Sequence, residues 1–320
     1  AIPSSWRARK GPPKSRGHFL FGFASGHFID GVVLVAIGIS KFLDLEFSTD
    51  GDWTRRKVGG FSGFHLDNDA VIKRCTGAKT TLHIVLILFI VGSVAFVGWA
   101  SFPLGPGPAA LASLESGTTI TVATTPDWIV MQPSNQQVTS GFIFYPGGRV
   151  DYRSYAHLLK PLAAQGYLVV LARMPLSLAV FSPAKAENVI QAFSGINQWV
   201  IGGHSLGGAM AANYVYNNPG KLDGLVLWAS FPATSNSLAD HDIKVMSIYG
   251  SEDGEVEAIE DSRNLLPADT TWVRIEGGNH AQFGDYGTQP GDGEAMINAQ
   301  AQWEQVINAT ADFMSSIANR

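Results

Sequence analysis

From residue 118 onward the chain alternates short, continuously apolar runs with segments of helical periodicity, and this alternation limits the fold more than any other feature. The runs "TSGFIFYPGG", "YLVVLARM", "QWVIGGHS", "LDGLVLWAS", "IKVMSIYGSED" and "TWVRIEGGNH" read as strands that are apolar on both faces. Between them, "SYAHLLKPLAAQG", "AKAENVIQAF", "LGGAMAANYVYNNPG" and "EAIEDSRNLLP" read as helices, and "AQWEQVINATADFMSSIA" closes the chain as an amphipathic one. A strand apolar on both faces must be covered on both, and a helix between successive strands makes them parallel. The expected fold is therefore α/β, a mostly parallel central sheet with helices on both faces. The stretch "TTITVATTPDWIVMQP" alternates instead, as the two strands of a hairpin do.

One strand ends oddly. In "QWVIGGHSLGGAM" (residues 198–210) glycines crowd a junction from strand to helix, where their entropic cost is kept only for a sharp bend or a close approach. Gly203-His204-Ser205-Leu206-Gly207 fits G-x-S-x-G, in which a serine sits on a strained turn with its hydroxyl projecting at the sheet edge. The positions two before and two after must be small because strand and helix nearly touch. The helix that follows aims its free N–H groups and positive dipole end at the serine. No other G-x-S-x-G occurs in the chain.

A serine hydroxyl is a poor nucleophile at neutral pH and needs a base, itself oriented by an acid. Of eight histidines, His18, His27, His65 and His83 precede the regular region. His157 has helix-surface spacing, His204 adjoins the serine in a turn where neighbouring side chains diverge, and His241 precedes a strand. His280 lies just beyond the last strand, at the same edge as Ser205. "VMSIYGSEDGEV" supplies the acid: Asp253, which the turn after Gly250 would bring over the sheet edge, is preferred to Glu252, with Asp285 in reserve. The order Ser205, Asp253, His280 is that of α/β-hydrolases and unlike that of other serine-enzyme folds. For the oxyanion, the backbone N–H of Leu206 is one donor. The second falls in "FYPGGRVDY", at Gly147 or Gly148; Tyr145-Pro146 stands where His-Gly is usual, which leaves the donating amide open.

"FYPGGRVDYRSYA", "VIGGHSLGGAMAA", "LVLWAS" and "IEGGNHAQFGDYG" together resemble a bacterial family of membrane-anchored or exported α/β-hydrolases, over about residues 80–320. The resemblance implies the α/β-hydrolase fold, with Ser205, Asp253 and His280 as a triad and the Gly147–Gly148 loop as oxyanion donor. It implies no substrate, because the superfamily hosts many chemistries. Helical caps of such proteins usually enter after "LVLWAS", and only "FPATSNSLADHD" intervenes there, so no sizeable cap is expected. The site would then be shallow, bounded by Tyr145, residues 174–183, Trp228, Phe231 and Phe283. The expected reaction is hydrolysis of a carboxylic ester, small or lipid-like, with no metal or organic cofactor. Acyl transfer, thioester or amide cleavage on the same triad, or a silent membrane-tethered binding protein, are the rival readings.

The chain ahead of this region differs in charge. Residues 1–80 carry twelve Lys and Arg against seven Asp and Glu, and residues 81–320 carry ten against twenty. An acidic body argues against nucleic acid as a partner. The stretch "LHIVLILFIVGSVAFVGWA" (82–100) has no formal charge and is about long enough to cross a bilayer, with Lys73, Arg74 and Lys79 just before it. Residues 81–101 are thus expected to be a membrane anchor or a signal segment, placing the catalytic domain outside the cytoplasm. Residues 102–117 read as a linker and 118–320 as the catalytic domain. Residues 1–80 are left unassigned: with no Met before Met131, they read as a disordered or non-native upstream segment, with a membrane segment near 18–40 as the rival. A single cysteine, Cys75, rules out an internal disulfide framework.

Overall fold

The computed structural model describes residues 45–47, 53–55 and 68–318, with side chains from residue 81 onward. It divides into two compact units, residues 2–87 and 88–320. In the first, strands β1 (Leu45–Phe47) and β2 (Trp53–Arg55) pair antiparallel, and helix α1 (Asn68–Ala100) begins. The expectations for residues 1–80 lie mostly outside the described residues. Within α1, Thr81–Ala100 is long and apolar enough to cross a membrane by length and composition, with a mean hydropathy of 2.4.

The second unit is built on an eight-stranded sheet. Its strands are β3 (Ile120–Thr124), β4 (Trp128–Pro133), β5 (Ser140–Tyr145), β6 (Leu168–Ala172), β7 (Gln198–His204), β8 (Gly224–Trp228), β9 (Lys244–Gly250) and β10 (Thr271–Ile275). Their spatial order is β10-β9-β8-β7-β5-β6-β4-β3. The hairpin β3–β4 and the β4–β6 pair are antiparallel, and all other pairs are parallel. This is the mostly parallel sheet expected from the alternation, and the α/β-hydrolase fold that the resemblance implies.

Pleating sorts the core into two layers. On β5, Phe142 and Phe144 face one way, into a cluster with Leu158, Leu159, Phe313 and Met314. Those four come from α3 (Ala156–Ala164) and the last helix, α7 (Ala299–Ala318), which follows the short α6 (Val256–Asp261). Ile143 and Tyr145 face the other way, toward Ala186 and Val189 of α4 (Lys185–Ala192) and Ala211, Ala212 and Val215 of α5 (Leu206–Asn217). Helices therefore cover both faces, which is why the central strands could be apolar at every position. Gly166, at φ 103, ends α3 in the left-handed conformation that glycine adopts without strain. The connection from β8 to β9 holds only the 3-10 turn Thr234–Asn236, so no cap domain covers the sheet edge there.

Residues 102–117 are not a free linker. Leu104 bridges Val150, with Leu104 N–H donating to Arg149 O at 2.8 Å and Asp151 N–H donating back to Leu104 O at 2.9 Å. Pro108 then opens the short helix α2 (Pro108–Ala112), whose Ala110 is fully buried. Asp285, the reserve acid, accepts the Ala110 N–H at 2.9 Å and so serves this helix. Proline and glycine gave this segment the composition of a linker, but the same residues suit a tight path over a folded surface.

Candidate active site

β7 runs into α5 with Ser205 between them, at φ 51 and ψ −125. A non-glycine residue in this region costs about 1–3 kcal/mol, a cost that surrounding structure must hold in place. Here the hold is visible: Ser205 N–H donates to Trp228 O at 3.0 Å, and the Ser230 hydroxyl donates to Ser205 O at 2.7 Å. The neighbouring glycines are obligatory. A Cβ on Gly203 would lie 2.5 Å from the backbone carbon of Gly207, and one on Gly207 would lie 2.3 Å from Tyr145 O. Strand, turn and helix thus touch backbone to backbone.

His280 and Asp253 come together from two loops at this edge. Both are buried, and His280 Nδ1 lies 2.9 and 3.1 Å from the two Asp253 carboxylate oxygens. Asp253 also accepts the Glu255 N–H at 2.8 Å, whereas Glu252 accepts from the Ser251 hydroxyl. The acceptor at Nδ1 leaves His280 Nε2 as the basic nitrogen, and that atom is buried with no hydrogen-bond partner. Burial opposes the charged ring, but the hydrogen bond and charge of Asp253, with Asp292 and Glu255 behind it, outweigh this and raise the His280 pKa above 6.5. The rings of His280 and His204 lie 4.6 Å apart between centroids, so the imidazole stands beside the residue preceding Ser205. Among the described residues no hydrogen bond joins Ser205 to His280 directly.

The loop after β5 separates its two glycines. Gly147 N–H donates to the Tyr155 hydroxyl at 3.0 Å, which in turn is hydrogen-bonded to His204 Nδ1 at 2.9 Å. The Gly147 amide is therefore already held by Tyr155, which favours Gly148 of the two glycines that the sequence left open. The next residue is the open one. A Cβ on Gly148 would meet Leu206 Cδ2 at 3.1 Å, so the loop lies directly against the first residue of α5. Neither the Gly148 nor the Leu206 N–H is taken by an acceptor among the described residues. His204 is fully buried, and burial with the adjacent His280 pushes its pKa well below 6.5. It is thus neutral, sharing a hydrogen bond with Tyr155 through Nδ1, and its ring packs beside that of His280 instead of diverging from it.

Three of the aromatics expected to bound the site are core residues instead. Tyr145 is fully buried, and its hydroxyl donates to Pro183 O and accepts from Ala186 N–H. Trp228 is buried with its indole N–H on Thr310 of α7. Phe283 is buried and stacked on His204. Phe231 alone of the four is partly exposed. His157, expected on a helix surface, lies edge-on to Trp303 at 4.1 Å, and burial lowers it to about 4. A cavity of about 160 Å³ lined by Val215, Leu222, His241 and Ile243 lies at the far end of α5, away from Ser205.

Several supports were not anticipated from the sequence. Asp292 accepts His280 N–H at 3.1 Å and Ala281 N–H at 2.7 Å. Gln302 of α7, fully buried, accepts Asn279 N–H at 3.0 Å and donates to Asn279 O at 2.8 Å. Together they clamp the backbone on both sides of His280. A polar Gln at an apolar register position of α7 was the one available signal.

A sequence model described as the alpha/beta hydrolase family matches residues 141–304, just over half the chain. No curated protein matches in a sequence search. Among solved structures, esterase B from Lactobacillus rhamnosis is similar at 13% identity and a TM-score of 0.49, covering 73% of this chain and 97% of its own. A predicted CIB-like hydrolase from Thermoplasma acidophilum is similar at 14% identity and 0.45, covering 61% and 98%. Est1E from Butyrivibrio proteoclasticus gives 11% and 0.48, covering 63% and 100%.

Proposed function

The chain belongs to the alpha/beta hydrolase family, and from that premise we propose that it is a serine carboxylic-ester hydrolase working through an acyl-enzyme. One observation carries the reading: a serine on a strained elbow adjoins a buried His–Asp pair whose second imidazole nitrogen has no other partner. Ser205 Oγ attacks the acyl carbonyl, and its proton passes to His280 Nε2. The Asp253 carboxylate steadies the imidazolium that forms. The carbonyl oxygen, now negative, is held by the N–H groups of Leu206 and Gly148, which are unclaimed and adjacent. Collapse expels the alcohol with the proton from His280. Water then repeats the steps on the acyl-serine and releases the acid, restoring the free enzyme. A loose Ser–His contact before substrate binds is ordinary for such sites, since the bond tightens in the complex.

The apolar helix supports membrane attachment with the catalytic unit outside the cytoplasm. The fold of residues 102–117 favours a retained anchor over a cleaved signal. Cleavage within "GPAALAS" would cut α2 and remove the buried Ala110 from its bond to Asp285. A fluorophosphonate probe on the full chain tests the chemistry. Labelling is expected for the wild type and lost in Ser205→Ala, together with at least ~10⁴-fold of p-nitrophenyl acetate turnover. No labelling of the wild type refutes the reading.

A further inference from the structure

We propose that the mouth of the Ser205 site lies against the bilayer and takes its ester from the lipid phase, so that the substrate class is membrane-resident amphiphilic esters. The inference rests on Ser205 being the nucleophile.

From residue 88 on, the second unit contains the last turns of α1, and these are joined to the oxyanion loop. Arg149, next in the chain after Gly148, places its guanidinium 4.1 Å from the centre of the Trp99 ring and donates to Phe102 O at 3.1 Å. Its backbone carbonyl accepts from Leu104, only four residues beyond the end of the helix. Four extended residues reach at most about 14 Å, so the loop lies close under the helix end. Trp and Arg at that level suit the headgroup zone, where one side of each is apolar and the other wet.

The opposite wall of the loop belongs to the same surface. Leu178 Cδ2 lies 3.7 Å from where a Gly148 Cβ would stand, and Arg149 N–H donates to Ser177 O at 2.8 Å. Three residues after Leu178, the Phe181 ring sits edge-on to Phe96 of α1, with centroids 6.2 Å apart. Phe96 in turn lies 5.9 Å from Trp99. Val180 is 45% exposed, Phe181 51% and Phe102 77%. A run of uncovered apolar side chains therefore passes from the helix to the edge of the oxyanion loop. Isolated exposed apolar residues need no explanation, but a contiguous patch does. The occupant is argued from continuity: the helix joined to it exposes Leu88 through Val97 on every side and has the length and hydropathy to cross a bilayer. Leu176 and Ser177, both at φ above 50, hold this segment in its outward turn.

The test uses the full chain with Cys75→Ser, reconstituted in phosphatidylcholine vesicles. An environment-sensitive NBD label is placed at Phe181→Cys or, as a control, at Asn217→Cys, exposed at the far end of α5. Quenching of the label at 181 by shallow doxyl-lipid, with none at 217, is expected; equal exposure of both to water overturns the proposal. In parallel, rates are compared for p-nitrophenyl acetate in solution and dioctanoylglycerol in the vesicle. Val180→Asp/Phe181→Asp is expected to lower the ratio of embedded to soluble turnover about tenfold. An unchanged ratio, or wild type that cleaves only the soluble ester, overturns it. If neither ester is cleaved, the hydrolase reading itself fails, while the label still decides how the surface sits.

Discussion

Replacing Gly207 by alanine tests whether the elbow's geometry is what the chemistry depends on. The new Cβ would stand 2.3 Å from Tyr145 O and 2.4 Å from Pro146 O, roughly 1 Å short of van der Waals contact. Both obstacles are backbone, so no rotamer change relieves them. Tyr145 is moreover paired to Gly203 across β5 and β7, and its hydroxyl is tied to Pro183 and Ala186. The relief must come from α5 and the loop moving apart by about that distance, which separates Ser205 and the Leu206 amide from Gly148. A displacement of that size costs about 10²-fold in turnover. Overpacking at a tight site adds about 1–3 kcal/mol of lost stability. Gly148→Ala is the contrast. Its nearest neighbour is the terminal methyl of Leu206 at 3.1 Å, which can swing aside. The expected loss there is only about threefold. Steady-state p-nitrophenyl acetate kinetics, normalised to fluorophosphonate-titrated sites, and urea unfolding measure both. Gly207→Ala within about threefold of wild type, or a greater loss in Gly148→Ala than in Gly207→Ala, refutes the argument.

The remaining expectations concern the supports. In the proposed mechanism His280 must be neutral to accept the serine proton, and its pKa is raised, so kcat/KM should climb with pH through a limb lying above 6.5. Asp292→Asn removes one of the charges that raise it and should move that limb to lower pH; a limb that stays in place would count against Asp292 as part of the electrostatics. Tyr155→Phe strands two buried groups, Gly147 N–H and His204 Nδ1, each costing about 1–3 kcal/mol. Urea unfolding should therefore show a loss of roughly 2–5 kcal/mol, and a change below about 1 kcal/mol would mean the hydroxyl relay holds little.

What the sequence made legible was whatever rests on side-chain type at fixed spacing. Apolar runs sorted into strands, glycines marked the elbow at Ser205, and His280 and Asp253 stood at the ends of β10 and β9, where the structure joins them. Tyr145 and Trp228, two of the three aromatics that lie in the core instead of the site, are there for a shared cause. Both stand at strand ends on the edge where Ser205 lies. A strand's side chains, however, project perpendicular to the sheet, into the layers above and below. Only residues past the last pleat turn over the edge, which is where Ser205, Asp253 and His280 lie and Tyr145 does not.

The supports of His280 were hidden for a different reason. Asp292 and Gln302 act on the backbone of residues 279–281, from positions 11 to 23 residues further along the chain. Backbone recognition asks nothing of the sequence at the residue recognised, so it leaves no paired signal to read. The same holds for Tyr155, whose hydroxyl serves the Gly147 amide at one end and His204 at the other. That relay links the residue before Ser205 to the loop facing it. If it sets the height of the Gly148 amide over Ser205, then Tyr155→Phe should lower kcat while leaving KM nearly unchanged, because the oxyanion exists only in the transition state. A rise in KM at constant kcat would instead assign the relay to substrate binding.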